Sequence, residues 1–222
     1  MLRFLKRQAR NILIHVFDLS EEDIMRQVVI FRNCFLGRPL ASRRHLGIYA
    51  SLCGLYGKAA EIGVSKGVFS EVLLRTGRFS RVYSIDPWAE HSLVVYNDCC
   101  NTSQEDQEAV YEEATRRLGA YEERNEILRM TSEEASCLFD DNALDFVYID
   151  ANHSYEACRR DLELWWPKVR TGGIFAGHDY VNGVFPTGTY GVKQAVDEFV
   201  SRHRQRLFVI PDEWPTWYLM KR

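Results

Sequence analysis

At 222 residues the chain is the size of one domain with a substantial core. Hydrophobic content of 46% and charged content of 27% exclude wholesale disorder. Lys and Arg number 28 against 31 Asp and Glu, and the net charge of -3 gives no electrostatic basis for binding nucleic acid. No apolar run is long enough to span a bilayer, and no secretory leader pattern is visible. The cysteines at 34, 53, 99, 100, 137 and 158 form no CxxC pair and read as reduced thiols in a cytoplasmic protein.

Residues 1–16 carry Arg3, Lys6, Arg7 and Arg10 among apolar residues, which predicts a basic amphipathic helix. Such a helix docks on its own domain, on a second copy of the chain in a homo-oligomer, or on a membrane surface. Ser20 followed by Glu21, Glu22 and Asp23 opens a second helix to about Phe31. A third is expected over Ala41 to Leu55, ending at Gly57. Residues 1–57 thus read as a helical accessory segment, and 58–222 as the main domain.

From Lys58 the pattern alternates. Strands are expected at Ala59–Val64, Arg81–Ile85, Glu126–Arg129, Leu144–Ile149 and Gly173–Ala176. Between them lie helices at Gly67–Thr76, Glu105–Leu118, 132–139 (opened by a capping box at Thr131) and Ser154–Val169, and another follows at Gly191–His203. Alternation of this kind builds a doubly wound α/β sheet with helices on both faces. The last strands, Leu207–Ile210 and Thr216–Met220, are too close for a helical crossover, so the final strand runs antiparallel.

Ligands of such sheets bind beyond the carboxyl ends of the strands, and here those ends are polar. They supply Glu61 with the Gly63–Gly67 turn, Asp86, Thr131 with Ser132, Asp150 with His153, and His178 with Asp179. The turn lacks the middle glycine of a dinucleotide fingerprint, and Glu61 repels a pyrophosphate, which disfavours an NAD-linked oxidoreductase. Asp86 lies 23 positions after Gly63, near the spacing of an acid that takes ribose hydroxyls. Intact polar strand ends also disfavour a non-catalytic scaffold working through the basic N-terminal helix.

The stretches Ala-Glu-Ile-Gly-Val-Ser-Lys-Gly-Val-Phe-Ser, Tyr-Ser-Ile-Asp-Pro-Trp, Ile-Asp-Ala-Asn-His-Ser-Tyr and Gly-His-Asp-Tyr together resemble class I S-adenosylmethionine (SAM)-dependent methyltransferases. The branch with D-x-x-H-x-Y and G-H-D-Y signatures, related to sugar and small-molecule O-methyltransferases, is the most similar. The resemblance implies a Rossmann-like, seven-stranded sheet and methylation of a hydroxyl on a sugar or other small molecule. It places Glu61 and Gly63 at the methionine end of SAM, Gly67 in the turn, Asp86 on the ribose, Trp88 beside the adenosine and Thr131-Ser132 near the adenine. Asp150 faces the transferred methyl. His153 is the expected general base, with His178 as the other candidate and Asp150 or Asp179 orienting it. Asp150 and Asp179 also occupy the places where related enzymes hold Mg²⁺, although His178 and Tyr180 depart from that pattern. The loop 182–190 and the leading helices are expected to wall the acceptor.

Overall fold

A computed structural model describes residues 40–92 and 96–222. The chain divides into two units, Met1–Leu40 and Ala41–Arg222, of which the second carries every element described below. The two helices expected between residues 1 and 31 lie outside the described residues. Among the described residues no helix is long and apolar enough to cross a membrane.

The elements, in chain order, are α1 (Leu46–Leu52), β1 (Lys58–Ile62), α2 (Val68–Thr76), β2 (Arg81–Ile85), α3 (Gln104–Leu118) and β3 (Asn125–Leu128). Then come α4 (Ser132–Ser136), β4 (Leu144–Ile149), α5 (Tyr155–Trp165), β5 (Val169–Gly177), β6 (Gly183–Phe185) and β7 (Gly188–Tyr190). The chain closes with α6 (Val192–His203), β8 (Phe208–Ile210) and β9 (Thr216–Met220). Seven strands form one sheet in the order β3-β2-β1-β4-β5-β9-β8. The first five are parallel, and β9 runs antiparallel to both β5 and β8. The expected doubly wound sheet with an antiparallel last strand is therefore what the chain forms.

Strand order dictates where a crevice opens. The chain proceeds from β1 to β2 and β3 on one side, then returns to place β4 on the other, so β1 and β4 flank the switch point. All six residues of β4 are buried, as a central parallel strand requires. Its Asp145 tolerates this because the backbone N–H of Gly57 and the Arg170 guanidinium both donate to its carboxylate. One face of the sheet packs Val147, Phe175, Trp217 and Leu219 against Leu162 and Trp165 of α5 and Val196 and Phe199 of α6. On the other face Phe146 meets Phe79 and Tyr148 meets Phe69 of α2. Burying side chains of this size contributes about 1.5–3 kcal/mol each.

Several boundaries differ from expectation. The helix expected over Ser154–Val169 ends at Trp165, two residues before Pro167, and Val169 already belongs to β5. Ala41–Leu55 yields a short 3-10 turn at Arg43–His45 followed by α1. The loop 182–190 contains a hairpin, β6–β7, whose strands pair with each other alone. The Thr131 capping box forms with both reciprocal hydrogen bonds, although its helix is only Ser132–Ser136.

Candidate active site

The turn after β1 is held in place by a carboxylate. Gly63, Ser65 and Gly67 all have positive φ, at 85°, 47° and 76°, so the chain doubles back within five residues. The N–H groups thus exposed at Val64 and Ser65 donate to Asp86 Oδ2 at 2.9 Å each, and Trp88 N–H donates to Oδ1 at 2.8 Å. Burial pushes the Asp86 carboxyl up and these three donors pull it back, with a net rise. Glu61, behind the turn, is buried and accepts from the Ser70 hydroxyl, which continues through Ser84 to Asn125. Desolvation drives its pKa well up, Asp150 and Asp86 add to the rise, and Ser70 and Arg43 oppose it.

Two residues expected at the cofactor do not reach the cavity wall. The Trp88 ring is fully buried beneath the turn, with its indole N–H on Ser65 O at 3.0 Å and its face toward Tyr111 at 4.9 Å. Its neighbours Pro87 and Ala89 line the cavity instead. Gly67 backs onto α3, where an added Cβ would lie 3.1 Å from Leu118 Cγ.

Beyond β4 and β5 the acids converge on one imidazole. His153 Nδ1 lies 2.7 Å from Asp98 Oδ2, and Nε2 lies 2.9 Å from Asp179 Oδ2 and 3.6 Å from Asp150 Oδ1. Nε2 is buried and faces these two carboxylates as an ion-pair partner without a well-aligned hydrogen bond to either. Burial opposes charge on this ring, but Asp150, Asp179 and Asp98 outweigh it and hold its pKa well above the usual histidine range. Asp179 is correspondingly lowered, burial being outweighed by His153 and His178. His178 Nδ1 stands 3.3 Å from Asp179 Oδ1 and 3.7 Å from Asp150 Oδ2. The outer face of His153 stacks on Tyr190 at 4.9 Å and 12°, and Tyr190 stacks on Trp214 at 5.2 Å. The hairpin that carries Tyr190 is tied to Asp98 by a bridge at Gly188, where a Cβ would meet Asn97 O at 2.5 Å.

One cavity of about 660 Å³ joins these groups, with Glu61, Gly63, Asp86, Thr131, Ser132, Asp150, His153, His178 and Asp179 all on its wall. Sequence reading missed Arg43, Asp98 and Asp161, which also line it. At the β3 end the Ser132 hydroxyl donates to Asp161 Oδ1 and accepts from Trp165 Nε1 at 2.9 Å. Burial pushes the Asp161 carboxyl up to about 6, against the opposing pull of Ser132 and Arg160. A carboxyl raised from 3.8 to about 6 on folding carries no penalty below pH 4. The penalty grows between pH 4 and 6, to about 3 kcal/mol at neutrality. Wild type is therefore expected to lose about 2–3 kcal/mol more stability than Asp161→Asn between pH 4 and 7. Parallel urea-unfolding curves for the two proteins would refute that desolvation.

Residues 60–180 match the family model described as a methyltransferase domain. The chain belongs to that family. It is a SAM-dependent methyltransferase, and its sheet order and acid-lined rim agree with that membership. Among solved structures the methyltransferase is similar to an O-methyltransferase from Bacillus cereus in complex with SAH, at 13% identity and a TM-score of 0.56 over 95% of this chain and 96% of that one. It is similar also to a methyltransferase from Geobacter sulfurreducens, at 16% identity and a TM-score of 0.52 over 96% of both chains. Spermidine synthase from Thermotoga maritima shares 15% identity and a TM-score of 0.55 over 83% of this chain and 61% of its own. At these identities the likeness is one of fold. Comparison with curated protein sequences returns no match.

Donor atoms of Asp150, His153 and Asp179 lie within 4.8 Å of one another. Two carboxylates with an imidazole nitrogen between them fit a divalent cation in donor chemistry as well as in spacing.

Proposed function

We propose that this methyltransferase transfers the methyl of SAM to a hydroxyl of a sugar or other small molecule, with His153 as the proton acceptor. The observation that carries this reading is the Asp98–His153 pair: Nδ1 lies 2.7 Å from Asp98, and the ring lines the cavity with Nε2 among Asp179 and Asp150. Proton abstraction requires the neutral ring, with its remaining proton on Nδ1 toward Asp98, so turnover is expected to rise with pH through the elevated pKa of His153. The charged ring that then forms is stabilised by three carboxylates. Trp214, stacked on Tyr190 at the cavity wall, offers an apolar ring, and the acids offer acceptors for hydroxyls, which together suit a polyol. Phosphate-rich acceptors such as RNA fit this acidic wall poorly, as does the net charge of -3.

The donor lies in this reading along the strand ends, with its methionine moiety at Glu61 and Gly63, its ribose at Asp86 and its adenine toward Thr131, Ser132 and Asp161. Transfer is an in-line displacement, and holding the oxygen against the methyl contributes up to roughly 7–11 kcal/mol. Asp150 and Asp179 would hold a divalent cation, which would lower the pKa of the acceptor hydroxyl and offset the pooled negative charge. A second reading makes Nε2 of His153 a ligand of that cation, favoured by its position between the two carboxylates.

Labelled SAM offered to the full chain with a panel of glycosides and polyols, with and without Mg²⁺ or Mn²⁺, tests the reaction. Turnover on at least one polyol is expected, and absence of SAH binding by calorimetry would sink it. His153→Asn separates the two roles. Lost turnover with retained cation binding marks a base, whereas loss of both marks a ligand.

A further inference from the structure

One cation sits among the acids at the switch point. Arg43, in the turn before α1, donates its backbone N–H to Asp212 Oδ2 at 2.9 Å, which anchors the turn to the β8–β9 loop. Its side chain reaches inward over the Phe69 ring, with Cζ 5.4 Å from the centroid. Nη1 alone finds partners among the described residues, Tyr148 OH at 3.4 Å and Asp150 Oδ2 at 3.3 Å, both long. Nε and Nη2 make no hydrogen bond to the described residues. The cavity has two other full cations on its wall, and both are committed at the rim: Lys66 to Glu113 at 3.3 Å and Arg160 to Glu133 at 2.8 Å.

A site for SAM alone among cationic ligands gives such a group something to do. The sulfonium and the α-ammonium are both positive, and Glu61 and Asp150 answer them. An arginine added to that corner repels both unless it meets the donor's one anionic group, the α-carboxylate. Guanidinium matches carboxylate as a planar fork, and here the free edge of the fork is the part without partners. Glu61 as an acceptor for the ammonium and Arg43 as a fork for the carboxylate then match the two groups of an amino-acid end.

We propose that Arg43 binds the α-carboxylate of the donor's methionine moiety and makes the site select donors that carry this group over decarboxylated ones. This rests on the proposed donor pose, with its methionine end at Glu61 and Gly63. The discriminating probe is a pair of ligands that differ only in the carboxylate: SAH and its decarboxylated 3-aminopropyl analogue. Calorimetry on the full chain is expected to show wild type preferring SAH by roughly ten- to a hundredfold, the range of a hydrogen bond to a charged group. Arg43→Met should lose that preference and bind the decarboxylated compound at least as tightly as wild type, since its ammonium no longer faces the guanidinium, which also shows that the variant is folded. Arg43→Lys, which keeps the charge without the fork, should fall between them. Loss of both ligands in equal measure, or an unchanged preference for SAH in Arg43→Met, overturns the proposal; the latter would mean that Arg43 serves the acceptor. Wild type binding neither ligand overturns the donor reading itself, a result distinct from either.

Discussion

Gly63→Ala is expected to abolish SAH binding and to lower the stability of the fold by about 3–5 kcal/mol. Gly63 sits between the tips of β1 and β4, where its N–H donates to Ile85 O and Asp150 N–H donates to Ile62 O. At φ 85° an added Cβ would stand 2.0 Å from the carbonyl oxygen of Asp150, 2.5 Å from its carbon and 2.7 Å from Ala151 Cα. All three are backbone atoms of the neighbouring strand end, so no side chain can swing aside. Relief requires the two central strands to part at the crevice, which moves Glu61 and Asp150 together. Gly54 isolates the steric part of the argument. Its φ is 75°, yet nothing lies within 4 Å of the added Cβ, so Gly54→Ala should cost only about 1 kcal/mol, the conformational penalty alone. Urea unfolding and SAH calorimetry on the two variants check this. Equal stability of the pair, or SAH bound by Gly63→Ala, would show that the strand tips yield where the backbone contacts say they cannot.

The same contrast between local and long-range determinants explains what could be read in the sequence. Glu61, Asp86, Asp150 and Asp179 were legible because each stands where an apolar run stops, and in an α/β sheet such ends share one edge. Asp98 had no such marker. It lies in an irregular stretch 55 residues before His153, and a bridge to Gly188 brings the two together. Arg43 was equally silent, since an arginine in a polar turn looks solvated until the turn is pinned to Asp212. Asp161 sits within the Tyr155–Trp165 helix pattern, and only the burial of that face by Ser132 and Trp165 shows it to be a cavity residue. Trp88 misled in the opposite direction. A tryptophan after a strand-end acid suggests a stacking platform, but here its indole N–H serves the turn from below. The hairpin of 182–190 was hidden by its Gly, Pro and Thr content, which reads as loop. It is the tie between Gly188 and Asp98 that gives Tyr190 its place over the imidazole.

Asp98→Asn is expected to reduce kcat by about 10²–10⁴ while leaving the affinity for SAH unchanged, in line with general-base contributions of that size. Asp98 is in this reading a positioning residue that acts through Nδ1 of His153 at 2.7 Å. An asparagine retains an oxygen to accept from Cys100 N–H, as Asp98 Oδ1 does at 2.8 Å, so the local turn survives. What it removes is one negative charge beside the ring and the unambiguous acceptor that keeps the proton on Nδ1. With its oxygen on Cys100 N–H, the amide presents its NH2 to Nδ1, which moves the ring proton to Nε2, where it blocks the cavity face. A merely structural role for Asp98 would lower SAH affinity and stability together with turnover, and that outcome refutes the assignment. The variant also distinguishes the two readings of His153. If Nε2 binds a cation, loss of its carboxylate support should weaken the cation by about 10–100-fold, and saturating Mn²⁺ should restore much of the rate. If Nε2 takes the substrate proton, no concentration of cation compensates, because the tautomer itself is wrong.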